Sequence, residues 1–358
     1  MSTWRADLRA AAPAWLASRA LVAITFALAH VVGADDAKGR LTLDQGLLSW
    51  DGDWYRQIAE SGYEGAAEGA IRYFPAYPLL GRGLGWLLAG RRDIALVLLA
   101  NAAALAATTV LVRLVRRDFD ATAARRTAWW FNLFPAAFVL TWAYSEALFV
   151  LAVAVTMLAT RSRNWPVAAL SGLLAALTRP TGVLLAGFVA LDGWARRNRS
   201  DRLGWLAAAV APVAGLLIYL GWAQAAEGTW RAPIDAQGDI RGGFHEPVSR
   251  VVRGLARGLG GDQTELLHAV AALAFVAAMV VGLRARPAYL AYGLGGIVVG
   301  LSASTINSFE RYGLGLVPVV IAFGALPLSE RHHRAGLALS ALAMVGLGTL
   351  ALTGHYVP

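Results

Sequence analysis

The chain has no cysteine, a single lysine and few charged residues of any kind. Without cysteine it can form neither disulfide bridges nor thiolate metal sites. Charged residues make up 15% of the 358 residues and hydrophobic residues 57%, whereas soluble domains average about 25% and about 45–50%. Long apolar runs separated by short arginine-bearing segments indicate a polytopic α-helical membrane protein, with residues 1–358 forming one integral-membrane domain.

Motifs for nucleotides and metal ions are also missing. The sequence contains no P-loop, no dinucleotide-binding fingerprint and no His-Glu-x-x-His motif. Its acidic residues follow no recognisable metal-binding pattern, so we predict neither a metal nor another cofactor. The net charge of +9 comes from arginines that flank the apolar runs. Membrane orientation explains this charge better than a nucleic acid partner does, and we predict no nucleic acid binding.

The apolar runs predict about eleven transmembrane spans. They lie at residues 14–34, 93–115, 127–144, 146–160, 165–178, 180–195, 203–224, 265–283, 287–303, 312–328 and 335–354. Several are short for a hydrocarbon core of about 30 Å, so tilt or polar ends must compensate. Two segments, 35–92 and 225–264, are longer than simple connections and are candidates for function.

Arginines between the spans predict the orientation of the chain. The basic segments are Arg5/Arg9, Arg113 to Arg126, Arg161/Arg163, Arg196 to Arg202, Arg284/Arg286 and Arg331/Arg334. The positive-inside rule places them in the cytoplasm, with the amino terminus inside and both long loops on the outer face. This requires that residues 74–92 form a surface helix and do not cross. A twelve-span arrangement, in which they cross, is the alternative.

Composition also suggests a source. The chain is rich in alanine, glycine and arginine, which is typical of bacteria with GC-rich genomes. We therefore expect a multi-pass protein of a bacterial plasma membrane.

In this orientation the unusual polar residues gather on the outer side. The first loop contains the run Trp50-Asp51-Gly52-Asp53-Trp54-Tyr55, and the other outer positions are Glu146, Arg179, His245, Glu310 and Arg311. Carboxylates at a membrane surface lose hydration, so they usually have a function. Aromatic neighbours suit either the bilayer interface or the face of a sugar ring.

Each of these residues also has a purely structural explanation. The alternatives are helix caps for Asp51 and Asp53, an ion pair between Glu146 and Arg179, a local surface pair of Glu310 with Arg311, and a solvated loop position for His245.

The second loop contains an amphipathic pattern. Its apolar residues are Val248, Val251, Val252, Leu255 and Leu259, and the arginines between them are Arg250, Arg253 and Arg257. This spacing predicts an interfacial helix with a basic face, which could hold a lipid phosphate.

An ordered set of motifs resembles the PIG-V mannosyltransferases and their bacterial relatives. The motifs are Trp50-Asp51-x-x-Trp54-Tyr55, Tyr73-Phe74-Pro75-x-Tyr77-Pro78, Tyr144-Ser145-Glu146, Leu177-Thr178-Arg179-Pro180-Thr181-Gly182 and Glu310-Arg311-Tyr312. The resemblance covers roughly residues 45–185 strongly and the last third of the chain loosely.

The resemblance implies a GT-C glycosyltransferase fold and a polyprenyl-phosphate sugar donor, typically mannose, used without a metal on the outer face. The acceptor would be a lipid, a glycan or a protein. A catalytic acid shortly after the first span corresponds to Asp51, which would act as the general base with inversion at the anomeric carbon. The expected substrate-binding residues are Asp53, Trp54, Tyr55, Tyr77, Glu146, Arg179, His245, Glu310 and Arg311.

Two other functions remain open. A secondary transporter or lipid flippase would place ionisable groups near the bilayer midplane and often contains an internal repeat. Here the polar residues lie on one side and no repeat is evident. A scaffold protein would tolerate substitution of the outer carboxylates.

Overall fold

The backbone is almost entirely helical, as predicted. The computed structural model describes residues 3–33, 36–304 and 308–358, and in these ranges it contains no β-strand, only an isolated antiparallel bridge between Phe244 and Ala303. The predicted all-α class is therefore confirmed. Asn307, which precedes the Glu310-Arg311-Tyr312 motif, lies outside the described residues, as do residues 34 and 35 at the start of the first loop.

Seventeen α-helices follow one another in the described ranges. They are α1 (Trp4–Val32), α2 (Ala37–Gln45), α3 (Asp51–Ser61), α4 (Ala76–Leu87), α5 (Arg92–Asp118), α6 (Ala121–Asn132), α7 (Glu146–Arg161), α8 (Trp165–Thr178), α9 (Leu185–Arg196), α10 (Arg202–Glu227), α11 (Ala232–Arg241), α12 (Pro247–Leu259), α13 (Gln263–Leu283), α14 (Pro287–Leu301), α15 (Phe309–Gly315), α16 (Val317–Ala325) and α17 (Glu330–Leu352).

Five of these helices, α1, α5, α10, α13 and α17, are long and apolar enough to cross a membrane. The chain is therefore an integral membrane protein. Helices α8 and α14 are apolar but shorter. The count of eleven spans stays a prediction.

Three of the predicted spans are interrupted near a proline. The span at 127–144 divides into α6 and a 3₁₀ turn beyond Pro135, and the span at 180–195 begins with a 3₁₀ turn at Pro180 before α9. In the span at 312–328, α15 ends at Gly315 and α16 restarts with Pro318 in its first turn. Proline cannot donate a backbone hydrogen bond and disfavours helical geometry in the preceding residue, which explains these breaks.

Ion pairs mark one end of the helical bundle. The buried carboxylate of Asp7, in the first turn of α1, binds Arg113 (2.9 Å) and Arg116 (2.6 Å) near the last turn of α5. Arg161, the last residue of α7, binds Asp118 (2.9 Å) and Asp192 (3.0 Å). We call this the arginine end of the molecule.

The first long loop folds against the opposite end of the bundle. Helix α7 rises about 1.5 Å per residue, so its first residue, Glu146, lies roughly 22 Å from Arg161. Thr42 of α2 donates to the carbonyl of Leu352 (2.7 Å), and the indole of Trp50 donates to that of Ala351 (3.0 Å), both in the last turn of α17. These bonds fix the loop that precedes α3.

Helix α4 has the features of the predicted surface helix in segment 74–92. Its 12 residues extend about 18 Å, which is too short for a hydrocarbon core of about 30 Å. The hydroxyl of Tyr77 donates to the carbonyl of Leu96 in α5 (2.8 Å). A Cβ at Gly81 would lie 2.3 Å from the Leu96 side chain, so only glycine allows this approach. Trp86 is 83% exposed, in keeping with a position in the membrane interface.

Helix α12 exposes apolar side chains, including Val248, Val252 and Leu259. Arg250 does not lie on the expected basic face. It is only 2% exposed and binds Glu265 of α13 through both terminal nitrogens at 2.7 Å. The expectation that Arg250 lies on the outer basic face was wrong. A bidentate ion pair holds it between the two helices.

Single cysteines in this cysteine-free chain will report its topology. A membrane-impermeant maleimide should label Glu64→Cys, exposed in the first loop, in intact cells. Arg331→Cys, exposed near the start of α17, should be labelled only after the cells are permeabilised. The cysteine-free parent is the blank in both conditions. Labelling of both variants in intact cells would instead establish the twelve-span arrangement.

Candidate active site

Asp51 is positioned by a sharp turn at the start of α3. Trp50 adopts a φ of 59°, an unusual conformation for a residue with a side chain. The hydroxyl of the buried Ser49 donates to the carbonyl of Thr42 (2.5 Å) and stabilises this turn. As the first residue of α3, Asp51 lies where the helix dipole favours a negative charge.

The Asp51 side chain has two specific partners from distant parts of the chain. The hydroxyl of Tyr73 donates to Oδ1 (2.8 Å), and Nη1 of Arg311 in α15 donates to Oδ2. Its backbone N–H also donates to the hydroxyl of Tyr144 (3.3 Å). Because 24% of the carboxyl side chain remains exposed, a substrate can reach it.

Glu146 joins the same cluster from the start of α7. Its Oε1 accepts from Nη1 of Arg179 and lies 3.4 Å from Nε of Arg311. The side chain is 1% exposed, and Oε2 has no hydrogen-bond partner among the described residues. Glu146 and Arg179 thus pair, as one alternative predicted, but the pair also includes Arg311 and through it Asp51.

Opposing effects determine the pKa of Asp51. Burial raises it, whereas the charge and hydrogen bond of Arg311 and the hydrogen bond from Tyr73 lower it. The lowering effects are larger, so the pKa lies below its ordinary value of 3.8. Burial also raises the pKa of the Tyr73 hydroxyl, which therefore stays protonated and continues to donate. Asp51 is a carboxylate at neutral pH and can accept a proton.

A further cation, Arg241, belongs to this site although sequence analysis missed it. Its guanidinium lies 4.7 Å from the ring centroid of Tyr312, and Arg179 approaches the same ring at 5.9 Å. Burial lowers the pKa of Arg241, and the charges of Arg311 and Arg179 lower it further. No motif surrounds Arg241, and the second loop contains several other arginines, so the sequence had no signal to single it out.

Positive charge is in excess in the cluster. Asp51 and Glu146 face Arg179, Arg241 and Arg311, and Arg72 donates to the hydroxyl of Tyr73 (2.8 Å) directly beside Asp51. Such an arrangement suits an anionic ligand. Within the described ranges, no group of three or more histidine and acidic side chains converges as a metal ion would require.

Asp53 and Trp54, which follow Asp51 in the aromatic run, make different contacts. Asp53 binds Arg56 (2.5 Å) and Gln57 (2.8 Å) within its own helix. Trp54 stacks on Tyr73 with a centroid distance of 5.7 Å, so it flanks the hydrogen bond between Tyr73 and Asp51.

Tyr55 and Tyr77 are core residues. The buried hydroxyl of Tyr55 donates to that of Ser145 (2.7 Å), and its ring packs edge-on against Tyr77 at 4.9 Å. Tyr77 is fully buried and binds α5. Both side chains hold α3 and α4 against the bundle.

Glu310 and His245 have partners outside the Asp51 cluster. Glu310 is buried, accepts from the hydroxyl of Tyr356 (3.0 Å) and lies 3.5 Å from Nε2 of His268. It is therefore not the local surface pair with Arg311 that one alternative predicted. His245, in the second loop, is hydrogen-bonded to the hydroxyl of Ser304 (3.0 Å), which follows α14.

Comparison with known families identifies one match. Residues 28–196 match the family model for mannosyltransferase (PIG-V), which confirms the resemblance over that range. The matched range includes Asp51, Glu146 and Arg179 but not Arg241 or Arg311. No curated protein matches the sequence.

Among the solved structures with a weak likeness to this chain are three of the oligosaccharyltransferase of Archaeoglobus fulgidus. The complex with zinc and sulfate has 14% identity and a TM-score of 0.44, covering 85% of this chain and 48% of that one. The form tethered to an acceptor peptide has 13% identity and a TM-score of 0.44, covering 95% and 55%. The complex of AglB with an inhibitory peptide and a dolichol-phosphate has 13% identity and a TM-score of 0.42, covering 85% and 51%. This chain spans about half the length of each.

Replacing Glu146 with Gln should strongly destabilise the protein. The substitution keeps the volume of the side chain but leaves Arg179 and the buried Arg311 without one of their counter-charges, which costs about 3–5 kcal/mol. The melting temperature of the purified protein should therefore fall by several degrees. Glu60→Gln, which breaks a more exposed pair with Arg56 (2.9 Å), is the matched control and should melt like the wild type. Equal melting of the Glu146→Gln variant and the wild type would contradict a central role for this carboxylate.

Proposed function

We propose, from the match of residues 28–196 to the PIG-V mannosyltransferases, that this protein is a membrane glycosyltransferase with a GT-C fold. It transfers a sugar, mannose in the named family, from a polyprenyl-phosphate donor to a hydroxyl group of a lipid, glycan or protein acceptor at the outer face. The observation that carries the proposal is the partly exposed carboxylate of Asp51, which the buried Arg311 binds within a cluster of arginines.

Asp51 is the general base in this reaction. It takes the proton of the acceptor hydroxyl, and that oxygen attacks the anomeric carbon from the side opposite the phosphate. A new bond forms between the acceptor oxygen and the anomeric carbon, while the bond between that carbon and the phosphate oxygen breaks. The sugar is inverted, and polyprenyl phosphate leaves with the bonding electrons.

The arginines stabilise the leaving group. Negative charge develops on the phosphate as its bond to the sugar breaks, and preorganised guanidinium groups offset that charge. Arg311 and Arg179 meet at Glu146, and both Arg179 and Arg241 lie over the ring of Tyr312. All three belong to the electropositive cluster that includes Asp51.

Arg311 links donor binding to the strength of the base. In the free protein its charge lowers the pKa of Asp51, which makes the carboxylate a weak base. A donor phosphate that binds Arg311 adds a negative charge and offsets this effect. The pKa of Asp51 therefore rises when the donor is present, and the base becomes stronger when it is needed.

The remaining predicted site residues divide by their contacts. Glu146 is a positioning residue, because its buried carboxylate orients Arg179 and Arg311. Trp54 stacks on Tyr73 and has the guanidinium of Arg72 over its ring at 4.8 Å, so we assign it the positioning of the Tyr73 hydroxyl beside Asp51. We assign positioning roles to Tyr55 and Tyr77.

Glu310 and His245 lie further from the reacting atoms. Glu310 is a positioning residue, because it anchors α15 next to Arg311 through Tyr356. We assign His245 no part in the chemistry.

Replacing Asp51 with Asn tests the base. The amide keeps the size of the side chain but cannot take a proton, so kcat should fall by roughly 10²–10⁴-fold. Transfer of radiolabelled sugar from a polyprenyl-phosphate donor by the purified protein measures this effect.

Asp53→Asn is the matched control for that experiment. Asp53 lies in the same helical turn but binds Arg56 and Gln57, so its replacement should change kcat by less than about tenfold. Near wild-type activity of the Asp51→Asn variant, in a protein with an unchanged melting temperature, would refute the assignment of the base.

The pH dependence of kcat/KM should report the influence of Arg311. Only the ionised Asp51 acts as base, so its protonation causes the fall of kcat/KM at low pH, the acid limb of the profile. Because the pKa of Asp51 is lowered, this limb lies below pH 3.8, and the group causes no loss of kcat/KM between about pH 5 and 7. In Arg311→Gln the lowering charge is lost while burial still raises the pKa, so the acid limb should move to higher pH. Arg311→Lys keeps the charge and should move it less. An unchanged limb in Arg311→Gln would contradict the coupling.

A further inference from the structure

A cavity of about 720 Å³ lies at the arginine end, remote from Asp51. It is bounded by the last turns of α5 and α7, the start of α8 and Trp4 at the start of α1. Arg161, which ends α7 beside it, is roughly 22 Å from Glu146, so no residue of the proposed catalytic cluster contributes to this cavity. The cavity is therefore not part of the candidate active site.

One side of the cavity is strongly basic. It contains Arg113, Arg116 and Arg117 from the last turns of α5. Arg113 and Arg116 share the single carboxylate of Asp7. Arg117 donates to neutral oxygens, the hydroxyl of Ser162 and a backbone carbonyl, both at 2.6 Å. Arg116 thus shares its carboxylate with Arg113, and no ion pair in the described ranges includes Arg117.

The acidic residues close to the cavity form ion pairs with Arg161, and the charge of Asp192 also acts on Arg117. Asp118, the next residue in α5, binds Arg161 (2.9 Å) and accepts from the hydroxyl of Tyr289 (2.7 Å). Asp192 also binds Arg161 (3.0 Å). Arg117 itself is bonded only to neutral oxygens, so its guanidinium group can bind an anion.

The other side of the cavity is apolar and opens toward the bilayer. Val155 and Leu158 of α7 and Val167 of α8 form it. On the same helix, Val167 is 39% and Leu170 71% exposed, so this face of α8 meets lipid. Trp4, which stacks on Arg113 at 3.9 Å, lies where tryptophan favours the membrane interface.

We propose that this cavity binds an anionic glycerophospholipid of the leaflet at the arginine end. The guanidinium groups of Arg116 and Arg117 bind its phosphate, and one acyl chain lies along Val155, Leu158 and Val167. A basic pocket between transmembrane helices at the predicted cytoplasmic side suits such a headgroup. A zwitterionic lipid fits less well, because its cationic group would lie close to the arginines that line the cavity.

Native mass spectrometry of the full-length protein in detergent tests the proposal without any measurement of sugar transfer. Phosphatidylglycerol and phosphatidylcholine with identical acyl chains are titrated separately, and we expect phosphatidylglycerol to bind about tenfold more tightly. A third arm adds soluble glycerol phosphate as a competitor. Effective displacement of phosphatidylglycerol at similar concentrations would show a site for free phosphate and overturn the lipid proposal.

Variants locate the binding site. Arg117→Gln removes one exposed guanidinium and should weaken phosphatidylglycerol binding about tenfold. Val167→Trp fills the apolar side and should weaken both lipids. Arg163→Gln removes an equal charge from the same end, where Arg163 pairs with Asp201 (3.7 Å) outside the cavity, and should bind like the wild type.

Two results would overturn the proposal even if the Val167→Trp variant does not fold. One is equal affinity of the wild type for the two lipids. The other is an equal effect of Arg117→Gln and Arg163→Gln, with melting temperatures confirming that both are folded.

Discussion

The candidate site depends on one buried guanidinium, that of Arg311. It binds the carboxylate of Asp51, which is 260 residues away in the sequence, and lies 3.4 Å from Glu146 at the start of α7. Removing one member of a buried ion-pair network leaves an uncompensated charge that costs several kcal/mol. These ion pairs therefore stabilise one relative arrangement of the first loop, α7 and α15. In that arrangement the carboxylate of Asp51 lies at the edge of the cluster.

Helix α7 carries the same kind of constraint at both of its ends. Glu146 binds two arginines at its start, and Arg161 binds Asp118 and Asp192 at its end. Between them the helix is largely buried. Ion pairs at both ends fix its depth within the bundle, which hydrophobic packing alone specifies poorly, because packing is not directional. The site therefore rests on helix ends with a defined position, as precise orientation of catalytic groups requires.

Individual residues show how far the sequence could be interpreted. Arginine placement put Asp51, Glu146, Arg179 and Arg311 on one side of the membrane, and the structure brings these four side chains together. The same reasoning could not separate Tyr55 and Tyr77, which pack in the core, from Trp54, which flanks Asp51, because all three are aromatic residues in motifs. It also missed Arg241 and placed Arg250 on the wrong face, since an arginine in a loop gives no indication of its partner.

The sequence by itself determined that the protein is helical and lies in a membrane, and its motifs were sufficient to indicate the mannosyltransferase family. These properties follow from local composition, since the transfer of apolar side chains into lipid depends on each segment separately. Tertiary structure alone decided which charges meet, which of two carboxylates in one helical turn faces the cluster, and where a cavity remains between helices. Those outcomes depend on distances of a few ångströms between segments far apart in the chain, and the energy of an ion pair changes steeply over such distances.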